Sequence, residues 1–339
     1  MHKTGMIILS ILLMLQLSAC QSTKSNSRVI AGVFNASTQI QKKFIDRHAP
    51  QHIKVYNNIP YMQTPELGLD LYQSAHVAQL APRPVIVWIH GGGWISGDKE
   101  HARGYFKRLA DAGYNVVSVQ YQFAPEAIYP TQLHQINQAI AYIQKHATQY
   151  HLNAQQIFLA GDSAGANMAS HYASFVSNPR YAKSQNFQPV LEQTDLKGLI
   201  LHCGIYDLSA FVQTAPEEIK LLEWGIVNLV QAYTGDRMQD MDFLASISPR
   251  QHLSAAYPPV FISGGNKDFL TQSQSMPFVQ SLKQVNVPVT EVFYPESKEL
   301  LVHEYQFMMG KKASQQTLQK TFEFLAQYAP EDHLETTLK

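Results

Sequence analysis

The run Ile157-Phe158-Leu159-Ala160-Gly161-Asp162-Ser163-Ala164-Gly165-Ala166-Asn167-Met168 passes from a continuous apolar stretch, through G-x-S-x-G, into a helical pattern. The apolar stretch reads as a strand covered on both faces. Small residues around Ser163 let strand and helix meet through a sharp turn that a Cβ at either glycine would crowd. Such an elbow leaves the serine hydroxyl exposed above a sheet, with the N-terminus of the next helix aimed at developing negative charge. Ser163 is therefore the candidate nucleophile, and the Ala164 N–H a candidate oxyanion donor.

Working outward, the same kind of apolar, β-rich run recurs at Pro84–Ile89, Val116–Val119, Leu199–Leu201, Pro259–Ile262 and Val289–Tyr294. An antiparallel start is expected at Ile53–Tyr56 and Leu67–Tyr72. Helical patterns separate most of these runs. The clearest is Thr131–Tyr150, where Leu133, Ile136, Ile140, Ile143 and Ala147 recur at three- and four-residue spacing. Alternation of β and α elements predicts an α/β domain with a mostly parallel central sheet flanked by helices. The longest interruption, Asp207–Leu253, carries a helical patch around Glu217–Tyr233 and reads, together with residues 29–50, as a small cap.

Two further segments supply chemistry around Ser163. His90-Gly91-Gly92-Gly93-Trp94 leaves the end of the run at Val85–Ile89, and its glycines allow backbone N–H groups close to a carbonyl oxygen; Gly91 and Gly92 are the candidate oxyanion donors beside Ala164. A phosphate loop is disfavoured, since Trp94-Ile95-Ser96-Gly97-Asp98-Lys99 follows instead of G-K-[ST]. His90 reads as a residue that fixes this loop. Asp268 ends the run from Pro259 in a G-G-N-K-D turn, and His303 follows the run at Val289–Pro295. The order Ser163, Asp268, His303 suits a nucleophile, an orienting acid and a base, each just beyond a strand's carboxyl end. Asp207 is the rival acid, with capping of a cap helix as its other reading; Glu304 reads as solvent-facing or structural.

Residues 84 to 307 resemble the bacterial hormone-sensitive-lipase-like esterases of the α/β-hydrolase superfamily, which are marked by H-G-G-G and G-D-S-A-G. Tyr121-Gln122-Phe123-Ala124-Pro125-Glu126 with Tyr129-Pro130, and Ser248-Pro249, support the likeness. Gln120 and Gln122 stand where that group has an acid and an Arg, so a structural ion pair is expected to be missing. Trp94–Lys99 also resembles the G-G-W-x-x-G-D-K stretch of feruloyl/acetyl-xylan esterase-like and arylformamidase-like relatives. The resemblance implies an α/β-hydrolase fold and a serine carboxylic-ester hydrolase that works through an acyl-enzyme on small or short-acyl esters, without a cofactor. An arylformamidase-like amidase or a carbohydrate (acetyl or feruloyl) esterase is the alternative. A non-catalytic surface lipoprotein is the reading from another class.

Composition bounds the rest. With 45% apolar and 15% charged residues the chain can bury a large core, and a net charge of zero gives no basic field for nucleic acid. Glutamines outnumber all Lys and Arg, so neutral amides are expected to serve where ion pairs otherwise would. The apolar run Met6–Leu15 is too short for the roughly 20 residues of a membrane-spanning helix and reads as a signal-peptide core. Leu17-Ser18-Ala19-Cys20 resembles the bacterial lipobox, with Cys20 as lipidation site. Residues 1–19 are thus expected to be a lipoprotein signal peptide, 20–28 a flexible tether, and 29–339 the α/β-hydrolase domain, exported and held to a cell-envelope membrane. The one other cysteine, Cys203, reads as a buried small hydrophobe. The histidines show no HExxH or Cys/His cluster, so no metal is expected.

Overall fold

The computed structural model describes residues 23–64, 66–75, 81–214 and 219–329. Its centre is an eight-stranded sheet: β1 (Lys54–Pro60), β2 (Gly68–Gln73), β3 (Arg83–Ile89), β4 (Asn115–Val119), β5 (Leu152–Asp162), β6 (Leu196–His202), β7 (Val260–Gly264) and β8 (Val289–Phe293), in the order β1-β2-β4-β3-β5-β6-β7-β8. β2 pairs antiparallel with β1 and with β4, and every other pairing is parallel. Each strand read from the sequence is present. The inner strands β4 and β7 are buried throughout, whereas the outer β1 and β8 are partly exposed, as an edge that faces water should be.

Period-2 alternation divides the core between the two faces of the sheet. Val85, Val87, Ile89, Val117, Leu159 and Leu199 join one cluster; Ile86, Trp88, Val116, Phe158, Ile200 and Phe261 join the other. The helices are α1 (Thr23–Ile45), α2 (Arg103–Asp111), α3 (Thr131–Lys145), α4 (Ala164–Ser177), α5 (Pro179–Ser184), α6 (Leu208–Gln213), α7 (Lys220–Thr234), α8 (Met241–Ser246), α9 (Met276–Gln284) and α10 (Lys312–Tyr328). Side chains of α3 and α4 fill the first cluster, those of α2 and α10 the second. Every residue of α4, the helix that starts at the elbow, is buried.

Three expectations need adjustment. The pattern at Thr131–Tyr150 ends as regular helix at Lys145 and continues as turns up to His151, which takes a left-handed conformation (φ 55°) and sends the chain into β5. The expected tether at residues 20–28 is helical from Thr23 onward, and its polar residues are engaged. Asn26 Nδ2 donates to Asn228 Oδ1 of α7 (2.8 Å), Ser27 Oγ donates to the Thr23 carbonyl (2.7 Å) and Lys24 pairs with Glu126 (2.8 Å). Partners distant in sequence thus order a stretch whose own composition favours a coil. The patch expected at Glu217–Tyr233 is α7, which starts at Lys220; residues 215–218, like the expected signal peptide and Cys20, lie outside the described residues.

Candidate active site

β5 ends at Asp162 and the chain reverses at Ser163, whose φ of 52° and ψ of −119° lie outside the ordinary regions for a residue with a side chain. Small neighbours make this bend possible. A Cβ at Gly165 would run into the Ile89 carbonyl of β3, and one at Gly161 would come within 2.5 Å of the Gly165 carbonyl carbon. The Ser163 N–H donates to the His202 carbonyl (2.9 Å), which fixes the elbow to the end of β6.

Asp268 and His303 meet as the sequence order implies. His303 Nδ1 lies 2.9 Å from Asp268 Oδ2, while Asp268 Oδ1 accepts the Leu270 N–H (3.0 Å). Asp268 is buried and His303 half-buried. Burial disfavours the imidazolium, but the Asp268 carboxylate at hydrogen-bond distance favours it, and the His303 pKa stands above that of an ordinary imidazole. Asp207, the rival acid, is elsewhere engaged: its Oδ1 caps α6 by accepting the Ala210 N–H (3.0 Å), and its Oδ2 accepts from Gln251 (3.0 Å).

Several residues that the sequence reading passed over hold this pair in place. Asn266, in the turn before Asp268, donates through Nδ2 to the Ser297 carbonyl (2.9 Å) and accepts the Leu301 N–H (3.2 Å), so the loop bearing His303 is fastened to the turn bearing the acid. Cys203 is buried as expected, its sulfur lies beside His303 and Asp268, and burial pushes its pKa up to about 11. Cys203, Asp268 and His303 bring sulfur, oxygen and nitrogen atoms of metal-ligand type within 4.8 Å of one another. Among the described residues Ser163 Oγ makes no hydrogen bond to His303; such contacts are often loose before substrate binds.

Asp162 organises the other side. Its Oδ1 accepts the Trp88 indole N–H (2.8 Å) and lies 3.3 Å from His101 Nε2; its Oδ2 accepts the Gly91 N–H (2.8 Å). Burial opposes the charge, but His101 and Trp88 hold the carboxyl far below the usual carboxylate range, and His101 in turn is raised despite its own burial. Glu304 lies close to Asp162, and burial with the neighbouring Asp162 charge pushes its carboxyl up.

This network corrects one assignment. Gly91, expected as an oxyanion donor, spends its N–H on Asp162, whereas the Gly92 and Ala164 N–H groups have no hydrogen-bond partner among the described residues. His90 is the loop-fixing residue it was read to be. Its Nδ1 donates to the Gly91 carbonyl (2.7 Å), its ring stacks on Tyr121 at 4.3 Å, and burial lowers its pKa to about 4. Amides stand at positions 120 and 122: Gln120 Oε1 accepts the Lys99 N–H (3.2 Å), Gln135 Nε2 donates to Gln122 Oε1 (2.6 Å), and the Gln122 N–H donates to Gln135 Oε1 (2.9 Å).

A roof covers the glycine loop. Trp94 is fully buried and stacks on Tyr233 of α7 at 4.6 Å. A Cβ at Gly93 would come within 2.6 Å of Leu229 on α7 and 3.2 Å of Phe34 on α1.

The strand order, the elbow after β5 and the acid and histidine after β7 and β8 define an α/β-hydrolase. Solved structures agree on the fold: esterase B from Lactobacillus rhamnosis, crystallised with an inhibitor, superposes with a TM-score of 0.77 at 19% identity over 91% of this chain and 97% of that one. A bacterial heroin esterase gives 0.70 at 18% identity over 95% and 97%. Residues 69–282 match the family described as BD-FAE, and the chain belongs to that family. It is similar to a probable carboxylic ester hydrolase, LipM, of Mycobacterium tuberculosis (28% identical over 223 residues, 64% of this chain and 49% of the relative) and to an acetyl esterase of Salmonella choleraesuis (25% over 255 residues, 71% and 72%). The chain spans about half the length of the mycobacterial relatives it matches.

Proposed function

We propose that the chain is a serine carboxylic-ester hydrolase acting through an acyl-enzyme on small or short-acyl esters. The observation that carries this reading is the Asp268–His303 pair at 2.9 Å, together with the strained elbow that bears Ser163. His303 takes the Ser163 proton as Oγ attacks the ester carbonyl, and later returns it to the leaving alcohol. Asp268 keeps the imidazole in the required tautomer and stabilises its protonated form. The Gly92 and Ala164 N–H groups receive the oxyanion, while Gly91 is held by Asp162 as part of the loop's frame. The mycobacterial and Salmonella relatives, named as ester hydrolases, support the reaction class.

Labelling with a fluorophosphonate tests the reading. Covalent modification at Ser163 supports it, and a folded chain that resists the probe favours the non-catalytic lipoprotein. A second reading, acetyl-ester hydrolysis on a carbohydrate, is favoured by the acetyl esterase relative that aligns with most of this chain; rates on acetylated sugars against p-nitrophenyl butyrate and aryl formamides separate these options.

For location, we propose an exported protein anchored to an envelope membrane through diacylglycerol on Cys20. The apolar run Met6–Leu15 and the sequence Leu17-Ser18-Ala19-Cys20 support this. Detergent partitioning of wild type, lost or replaced by retained precursor in Cys20→Ala, is the test.

A further inference from the structure

We propose that the outward face of α1 lies flat on an anionic phospholipid surface. The inference rests on the Cys20 anchoring reading and adds a second, non-covalent contact to it. Val29, Val33, Ile40 and Phe44 are 43, 50, 62 and 53% exposed, and with Ala36 they recur at spacings of four, three, four and four residues. Such spacings place them on one seam, about 22 Å long at the helical rise. Single exposed apolar residues are ordinary on a protein surface, but an aligned row on one helix is not. The buried side of the same helix, with Ile30 and Ile45, already faces the body of the protein, so this seam is left over once the fold has used α1.

Charge and tethering identify what covers the seam. α1 contains no Asp or Glu, and its cations are Lys24, Arg28, Lys42 and Lys43, with Arg47 just beyond its end and over the Phe44 ring at 5.6 Å. Lys24 and Lys42 are paired with Glu126 and Glu100, while Arg28, Lys43 and Arg47 are exposed beside the seam. Apolar residues flanked by Lys and Arg, with the nearby acids Asp46, Glu100 and Glu126 each paired with a cation, match the interface of a bilayer that carries anionic lipid. Thr23 follows Cys20 by three residue steps, so a lipid at Cys20 holds the start of α1 within about 11 Å of the bilayer. From there the helix either rises from the surface, with its seam in water, or lies down and buries it. Lying down places α1 between the bilayer and the oxyanion loop, since Phe34 on the same helix faces the Gly93 position.

The test uses the full chain carrying Ile40→Trp, reconstituted on vesicles of phosphatidylcholine and phosphatidylglycerol with brominated acyl chains. Gln319→Trp on α10 is the comparison, and flotation is read in parallel. All variants carry Trp224→Phe, since Trp224 on α7 is partly exposed, whereas Trp88 and Trp94 are fully buried and give a constant background. Docking predicts that most of the emission added at position 40 is quenched while that at 319 is not, and Phe44→Trp repeats the measurement at a second seam position. Flotation without quenching at 40 and 44 overturns the docking and leaves the anchor standing; neither flotation nor quenching overturns both. A concentration-dependent dimer that Ile40→Glu abolishes, without quenching, assigns the seam to a second copy and also overturns the proposal.

Discussion

Replacing Asp162 by Asn tests whether the residue before the nucleophile frames the site. The carboxylate is fully buried and serves Trp88 Nε1, the Gly91 N–H and His101 together, with Glu304 beside it. An Asn keeps one acceptor oxygen and turns an NH₂ toward a donor, either the indole or the Gly91 N–H. It also leaves a buried His101 without its counter-charge. Removing one partner of a buried ion pair costs about 3–5 kcal/mol, and about 2 °C of Tm per kcal/mol in a large domain gives a fall of about 6–10 °C. The catalytic effect comes from Gly91, because its release moves the Gly92 N–H; a misplacement of about 1 Å costs roughly 10²-fold in kcat. Scanning calorimetry and hydrolysis of p-nitrophenyl acetate read the two effects separately. The stabilisation from a carboxyl held below its unfolded pKa is present above that value and lost as pH falls, so the gap in Tm should narrow below about pH 4. A folded Asp162→Asn enzyme with wild-type kcat would refute the argument that this carboxylate holds the oxyanion loop.

Other outcomes follow from the same geometry. Ser163→Ala should lower turnover by several powers of ten with Tm almost unchanged, measured on the same ester; retained turnover would remove Ser163 from the mechanism. Asp268→Asn should lower kcat by about 10⁴ through the wrong imidazole tautomer, whereas Asp207→Ala should leave kcat near wild type and lower stability by about 1 kcal/mol through the lost α6 cap. Because His303 is raised, it stays protonated to higher pH than a free imidazole. The rising limb of kcat/KM should therefore lie above about pH 6.5 and move down in a slow but measurable Asp268→Asn enzyme.

The parts of the fold visible in the sequence are those whose physics is local. A parallel strand covered by helices on both sides is an unbroken apolar run, and β3 to β7 announce themselves in that way. The first turns of α1 were not visible for the opposite reason. Thr23 to Arg28 contain no apolar residue, and what orders them is Asn228 and Glu126, far along the chain. The α3 pattern ran long because Ala147 continues the apolar spacing past Lys145, while the left-handed turn at His151 leaves no periodic signal.

The site divides along the same line. Ser163, Asp268 and His303 could be ordered from the chain because each follows a strand. Whether a glycine N–H is free depends on a side-chain rotamer, and here that rotamer belongs to Asp162. Glu304 reads from the sequence as solvent-facing or structural, and the structure puts it beside Asp162. Its left-handed backbone (φ 60°) lets two consecutive side chains take different directions, His303 toward Asp268 and Glu304 toward the Asp162 carboxylate. The carboxylate that precedes the nucleophile thus meets both the glycine loop, through Gly91, and the residue that follows the base, a convergence of three segments that no spacing along the chain displays.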